Sequence, residues 1–255
     1  MIIHSYENSK RADACMKYIR GAEKLKFLES VVLLPIPTTR DNKTILGTKD
    51  YICDVFEFAH DTTLVVGYGL PDDVIGEADR LGVPLFDVSR DEEFLSANAE
   101  LTAVATVGII LNTTELSPSD MSVGIVGYGR IGKRLARLLL YLGAGVRIYT
   151  SNPTTRLELC EFGVATSMST SEADLNGLDI LVNTAPAEIF DTSEGGSFPT
   201  DLRVIDLASG NNFPNLKDVE KYPSVPARMF PRTAGVEWGK AIERFITGYY
   251  PKEGG

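Results

Sequence analysis

Residues 123–136 read VGIVGYGRIGKRLA: a β-branched apolar run, three glycines, then a helical pattern. The spacing Gly127-x-Gly129-x-x-Gly132 is that of a dinucleotide-binding turn. Its first glycine permits the tight bend, its second lets the backbone approach a pyrophosphate, and its third lets the helix lie close to the strand. The helix that follows offers unpaired N–H groups and the positive end of its dipole to an anion. Tyr128, Arg130 and Ile131 complete the expected cofactor contacts within the turn.

The tetrapeptide Val-Gly-Tyr-Gly occurs once more, in TLVVGYGLPDD at 63–73. Where a third glycine is needed stands Asp72, with Asp73 beside it. Two carboxylates in a first helical turn complement the helix dipole but repel a pyrophosphate, and Pro71 suits a helix start. This copy reads as a strand-to-helix junction, and only the second binds the cofactor.

Strand signals at 1–5, 31–35, 63–67 and 83–88 alternate with helical stretches near 8–20, 48–59 and 72–81, the grammar of a parallel sheet with crossover helices. The second half repeats it, with strands at 122–126, 146–150, 180–184 and 203–207 and a helix at 130–142. The expected fold is α/β: two Rossmann-like, doubly wound parallel-sheet domains joined by an interdomain helix. The helix at 96–112 is apolar nearly all round from Leu101 to Leu111 and must be covered on most sides. Val236, Trp238, Ala241, Ile242, Phe245 and Ile246 form a stripe on a C-terminal helix that packs back on the first domain. The boundaries are 1–95 for an N-terminal substrate or partner domain, 96–113 for the interdomain helix, 114–232 for the NAD(P)-binding domain and 233–255 for the last helix and tail. Residues 209–232 read as mostly irregular.

The net charge of −10 excludes a nucleic-acid groove, which needs a positive stripe. No unbroken apolar run reaches the roughly 18 residues of a membrane span, and MIIHSYENSK lacks the marks of a signal peptide, so a cytoplasmic location is expected. Cys15, Cys53 and Cys160 form neither a disulfide framework nor a zinc pattern, and no metal site is expected. With only His4 and His60, the usual acid–base side chain is scarce.

The ribose is read at the end of the second strand, where an NAD enzyme places an acid. Here stand Thr150, Ser151 and Asn152, with Arg156 behind. Hydroxyls and a guanidinium suit a 2′-phosphate, so NADP is expected ahead of NAD. Ligands lie beyond the strands' carboxyl ends, which here carry Asn183, Thr184, Ala185 and Pro186, then Asp206 and Ser209. Asp206 either faces the nicotinamide or caps a turn. Thr38, Thr39 and Arg40 in LPIPTTRDNK read either as donors suited, with Arg232, to the carboxylates of a small anionic substrate or as an ordinary polar loop, and Arg228 and Arg232 are cations that could close over a substrate.

The stretch from Val123 to Tyr149 resembles the cofactor domain of D-2-hydroxyacid dehydrogenases, but Pro186 follows VNTA where those enzymes carry a catalytic arginine, and no histidine follows His60. Over nearly its whole length the chain resembles the A subunits of bacterial dipicolinate synthases. The resemblance rests on VVLLPIPTTRDN, LVNTAPAEI, VIDLAS and FPRTAG. It implies oxidation of a dihydrodipicolinate-type compound with NADP or NAD, beside a flavoprotein B-type subunit. The chain is expected to form a homo-oligomer. Val104 stands where that family's interdomain helix carries a glutamate, and the loop before the last helix is short. A different class consistent with these departures is a catalytically silent dinucleotide-binding subunit or sensor.

Overall fold

A computed structural model describes residues 1–161, 165–167, 175–186, 198–208, 212–213, 216 and 218–249. Contacts divide the chain into two units, one of Met1–Asn98 with Ala227–Gly255 and one of Ala99–Pro226. Each carries a parallel sheet.

In the first unit the strands β1 (Ile2–Ser5), β2 (Ser30–Leu33), β3 (Thr63–Gly67) and β4 (Leu85–Asp87) lie side by side in chain order. Helix α1 (Lys10–Gly21) connects β1 to β2, and α2 (Asp72–Leu81) connects β3 to β4. Ser9 caps α1 by accepting from the Ala12 amide at 3.1 Å, and α2 ends on left-handed Gly82. Alternate residues of β2 and β3 feed two cores. Val31, Leu33, Leu64 and Val66 meet Ala12, Cys15 and Ile19 of α1 on one face. Val32 and Val65 meet Val74 and Ala78 of α2 on the other.

The stretch 48–59, expected to be α-helical, is a 3-10 segment, Ile52–Phe58. Buried Ile52, Val55 and Phe56 satisfy either period, and the side chain of Asp54 accepts from the Tyr51 amide at 3.0 Å, fixing a tight entry. The last helix, α7 (Pro231–Tyr249), completes the first unit. Trp238, Ala241, Ile242 and Ile246 enter the α1 core, the two isoleucines contributing roughly 1.5–3 kcal/mol each by burial. An added Cβ on Gly235 would stand 2.3 Å from the Arg11 carbonyl oxygen, which is why the two helices cross closely at a glycine.

Helix α3 (Glu92–Thr113) begins in the first unit and continues in the second. By length and composition it is apolar enough to cross a membrane, because Thr102, Thr106 and Gly108 interrupt the run without lowering its mean hydropathy far. Ala103, Thr106 and Ile110 are fully buried, with Val104 and Leu111 exposed. The Thr106 hydroxyl donates to the Thr102 carbonyl at 2.7 Å, so its polarity is spent inside the helix.

The second unit has six parallel strands in the order β10-β9-β8-β5-β6-β7. They are β5 (Ser122–Val126), β6 (Gly145–Tyr149), β7 (Ala165–Ser167), β8 (Ile180–Asn183), β9 (Arg203–Asp206) and β10 (Val219–Lys221). Helix α4 (Arg130–Tyr141) crosses from β5 to β6, and α5 (Pro153–Glu161) follows β6. The segment 209–232 is more ordered than expected: its described residues include β10, paired with β9, and the short helix α6 (Val225–Met229). Three-residue edge strands carry too little alternation to announce themselves.

Candidate functional site

The strand order of the second sheet reverses at β5: β6 and β7 follow on one side, β8, β9 and β10 on the other. Ligands bind outside the carboxyl ends of the strands at such a reversal, here at Gly127 after β5 and Thr184 after β8. The first sheet, in simple chain order, has no reversal. Topology alone therefore separates the two Val-Gly-Tyr-Gly copies.

The three glycines of the second copy have different reasons to be there. Gly127 adopts φ +88°, and an added Cβ would stand 2.9 Å from Thr184 Oγ1. At Gly132 a Cβ would come within 2.2 Å of the Gly127 carbonyl oxygen, so helix and turn touch through bare backbone. Gly129 has φ −81° and is exposed, and nothing lies within 4 Å of an added Cβ. Neither conformation nor packing requires a glycine there. What remains is room for a ligand to approach the backbone. Gly129 is also the N-cap of α4 and makes no side-chain bond, which leaves the helix start available to an oxyanion. Tyr128 is half-buried, with Lys133 Nζ 5.4 Å from its ring centroid. Arg130 is exposed, Ile131 half-buried.

Across the reversal, the Thr184 hydroxyl donates to the Val126 carbonyl at 2.8 Å and holds the end of β8 against the turn. Asn183 is buried: its Nδ2 donates to Asp206 Oδ1 at 2.8 Å and to the Ala185 carbonyl at 3.1 Å, and its Oδ1 accepts from the Ala185 amide at 3.0 Å. Asp206, 1% exposed, also accepts from the Ala208 amide at 3.1 Å and from Asn212 Nδ2 at 3.2 Å. Of the two roles open to it, the geometry gives Asp206 the turn: it positions the ends of β8 and β9. Pro186 is exposed, and Ser209 lies outside the described residues.

At the ribose end, Thr150 is half-buried and Ser151 exposed. Asn152 is spent on capping α5, its Oδ1 accepting from the amides of Thr154 at 3.0 Å and Thr155 at 3.2 Å. Arg156, on the first turn of α5, has a buried Nε that meets no acceptor. A buried donor left so costs about 1–3 kcal/mol, and an oxyanion beside it would remove that cost. The donor set therefore fits a phosphate.

The substrate clamp is not assembled as expected. Thr38 is fully buried, its hydroxyl donating to the Pro35 carbonyl at 3.0 Å and accepting from the Tyr68 amide at 2.8 Å. Thr39 donates to Asp41 Oδ1 at 2.9 Å, and Arg40 is exposed. Arg232 lines an open groove of about 1400 Å³ with Lys10, Lys17 and Tyr18 of α1, a lining that does not include residues 38–40. Arg228 is exposed on α6. Thr38 is consumed because a loop returning at a sheet end must satisfy its backbone, and Thr39 because the Asp41 carboxylate takes its hydroxyl.

His4 and His60 are both exposed. Burial pushes the Cys15 thiol well above its usual range, and burial with nearby carboxylates raises Cys53, so neither offers a thiolate. The sequence did not single out Asp87, only 8% exposed at the end of β4. A carboxylate between Phe86 and Val88 is the signal that could have found it, since a charge in an apolar stretch must be hydrogen-bonded.

Strand-order reversal, glycine turn and open cradle are those of a dinucleotide-binding domain. Residues 105–194 match the family model described as D-isomer specific 2-hydroxyacid dehydrogenase, NAD binding domain, which supports a dinucleotide-dependent oxidoreductase. The chain is similar to the A subunit of dipicolinate synthase from Bacillus subtilis (strain 168), at 25% identity over 192 residues. That match spans 72% of this chain and 63% of the relative's length. Among solved structures, the dipicolinate synthase A chain from Bacillus subtilis has a TM-score of 0.75 at 17% identity, with 99% of this chain and 96% of that one covered. The corresponding dipicolinate synthase chain from Bacillus halodurans has a TM-score of 0.72 at 19% identity, with 96% of each chain covered. These structures share the fold.

Proposed function

We propose that this chain is an NADP-dependent oxidoreductase of the dipicolinate synthase A type, moving a hydride between the cofactor and a small cyclic or imino dicarboxylate resembling dihydrodipicolinate. The observation that carries the proposal is the open backbone at Gly129 beside an uncapped helix start, together with the acceptorless Nε of Arg156 where a 2′-phosphate would lie. The amides of the turn bind the pyrophosphate, and Thr184 keeps the turn closed against β8. Thr150, Ser151 and Arg156 read the ribose. A bound nicotinamide supplies or accepts the hydride. Asp206 acts through Asn183, fixing the backbone at Ala185 where the ring edge would rest. Exposed Arg40, Arg228 and Arg232 are the candidate cations for substrate carboxylates, Arg232 from a groove whose lining does not include Arg40. A cytoplasmic homo-oligomer working beside a flavoprotein B-type subunit belongs to the same reading.

Fluorescence titration of NADP and NAD tests the cofactor half. One charge-assisted contact contributes roughly 1.5–3 kcal/mol, about ten- to a hundredfold in affinity. Arg156→Ala should weaken NADP by that factor and leave NAD nearly unchanged; equal affinities in the unmodified protein refute the preference. Turnover of NADP with a panel of dihydropyridine dicarboxylates tests the substrate half.

The engagement of Thr38 and Asp206 in structural bonds favours a second reading, a dinucleotide-binding subunit without turnover. Tight NADP binding with no turnover on any of the panel, alone or with a flavoprotein partner, would select it.

A further inference from the structure

The first Val-Gly-Tyr-Gly turn is filled from within. Its three successive amides are all taken by side-chain oxygens: Tyr68 N donates to Thr38 Oγ1 at 2.8 Å, Gly69 N to Asp87 Oδ1 at 2.9 Å and Leu70 N to Asp87 Oδ2 at 3.1 Å. The corresponding residues of the second turn are Tyr128, Gly129 and Arg130. Among the described residues no side-chain oxygen accepts from the amide of Tyr128 or Gly129.

The two strand–helix–strand units are in matching register. Gly67 pairs with Asp87 across β3 and β4. In the second unit Val126 pairs with Tyr149, so Gly127 falls opposite Thr150. Asp87 thus occupies in the first unit the position of Thr150 in the second. Successive amides in such a turn form a concavity for an anion, and a carboxylate bridging two of them is a bidentate oxyanion ligand.

We propose that the first turn is an anion site whose ligand is the chain's own Asp87 carboxylate, held there as a permanent plug against phosphates and carboxylates from solution. Asp87 Oδ1 also accepts from the Ser89 amide at 2.9 Å, which keeps the side chain folded back over the turn. The repeated tetrapeptide therefore yields one anion site open to solvent and one closed. Removing the carboxylate, with Thr38 left in place, exposes the Gly69 and Leu70 amides to an external oxyanion, with Arg90, 3.9 Å from Asp87 and 3.8 Å from Asp72, offsetting the negative first turn of α2.

The test is Asp87→Thr, which gives the first turn the residue that the second carries. It is made in a Gly129→Asp background so that the second turn does not report. Backbone amide resonances of Gly69 and Leu70 are followed while inorganic phosphate is added. A saturable shift of both in the variant, and none in the Gly129→Asp parent, is expected. Amides that ignore phosphate in the variant, or that move equally in the parent, overturn the proposal. If Asp87→Thr does not fold, Asp87→Asn keeps the bulk and removes the charge, and phosphate should compete with its amide. An asparagine variant blind to phosphate overturns the proposal equally.

Discussion

Replacing Gly129 with aspartate should separate cofactor binding from stability. The position is the N-cap of α4, at φ −81° with open space around an added Cβ. Aspartate is among the best N-cap residues and exceeds glycine there by a few tenths of a kcal/mol, so Gly129→Asp should leave the protein as stable as before or slightly more so. Binding should respond in the opposite direction. A carboxylate about 4 Å from a pyrophosphate charge, at an effective dielectric near 20, costs about 4 kcal/mol, or roughly a thousandfold in affinity. Gly132→Ala is the counterpart. Its Cβ would stand 2.2 Å from the Gly127 carbonyl oxygen, and overpacking of this kind costs about 1–3 kcal/mol, or roughly 2–12 °C of melting temperature for a chain of this size. Thermal unfolding without nucleotide, and fluorescence titration with it, read the two quantities separately. If Gly129→Asp retained its dinucleotide affinity, or melted as early as Gly132→Ala, the assignment of the cradle would be refuted.

Glu7 and Arg11 form a 2.7 Å ion pair with side chains only 13% and 5% exposed, and the guanidinium lies 5.5 Å from the Trp238 ring centroid. Glu7→Ala strands that guanidinium and should cost about 3 kcal/mol, lowering the melting temperature by roughly 6–12 °C; a loss under 1 °C would contradict the burial. The Arg203 guanidinium beside Glu220 holds its carboxyl below the usual range. A depressed folded-state value contributes stability above the ordinary pKa of about 4.3, lost as pH falls through the folded value. Denaturant midpoints should therefore drop in that acid window, and Glu220→Gln should flatten the drop.

Much of the nucleotide-binding unit was legible because its signals are local. Gly127, Gly129 and Gly132 stand at fixed offsets between a strand and a helix, and α4 begins at Arg130 as the pattern demands. The first unit was legible in its strands and less so in its chemistry. Thr38 and Thr39 look like ligand donors in any single sequence, and only the return of the loop beneath β3 reveals that Thr38 serves the Tyr68 amide. Asp206 was ambiguous for the same reason, since its partners Asn183 and Asn212 are brought in by separate segments. Short β7 and β10 are defined by their neighbours more than by their own three residues.

The placement of α7 has a consequence for biosynthesis. The second unit is one continuous stretch, Ala99–Pro226, whereas the first takes its closing helix from beyond it. On a ribosome extending the chain at about 5–20 residues per second, the N-terminal segment emerges first yet lacks Trp238, Ala241, Ile242 and Ile246, the residues that seal the α1 side of its sheet. The half made earliest is the half that finishes last. Until then the apolar surface of α1 and β2 is exposed to chaperones and to other nascent chains, and a stop codon that removed α7 would damage the opposite end of the sequence.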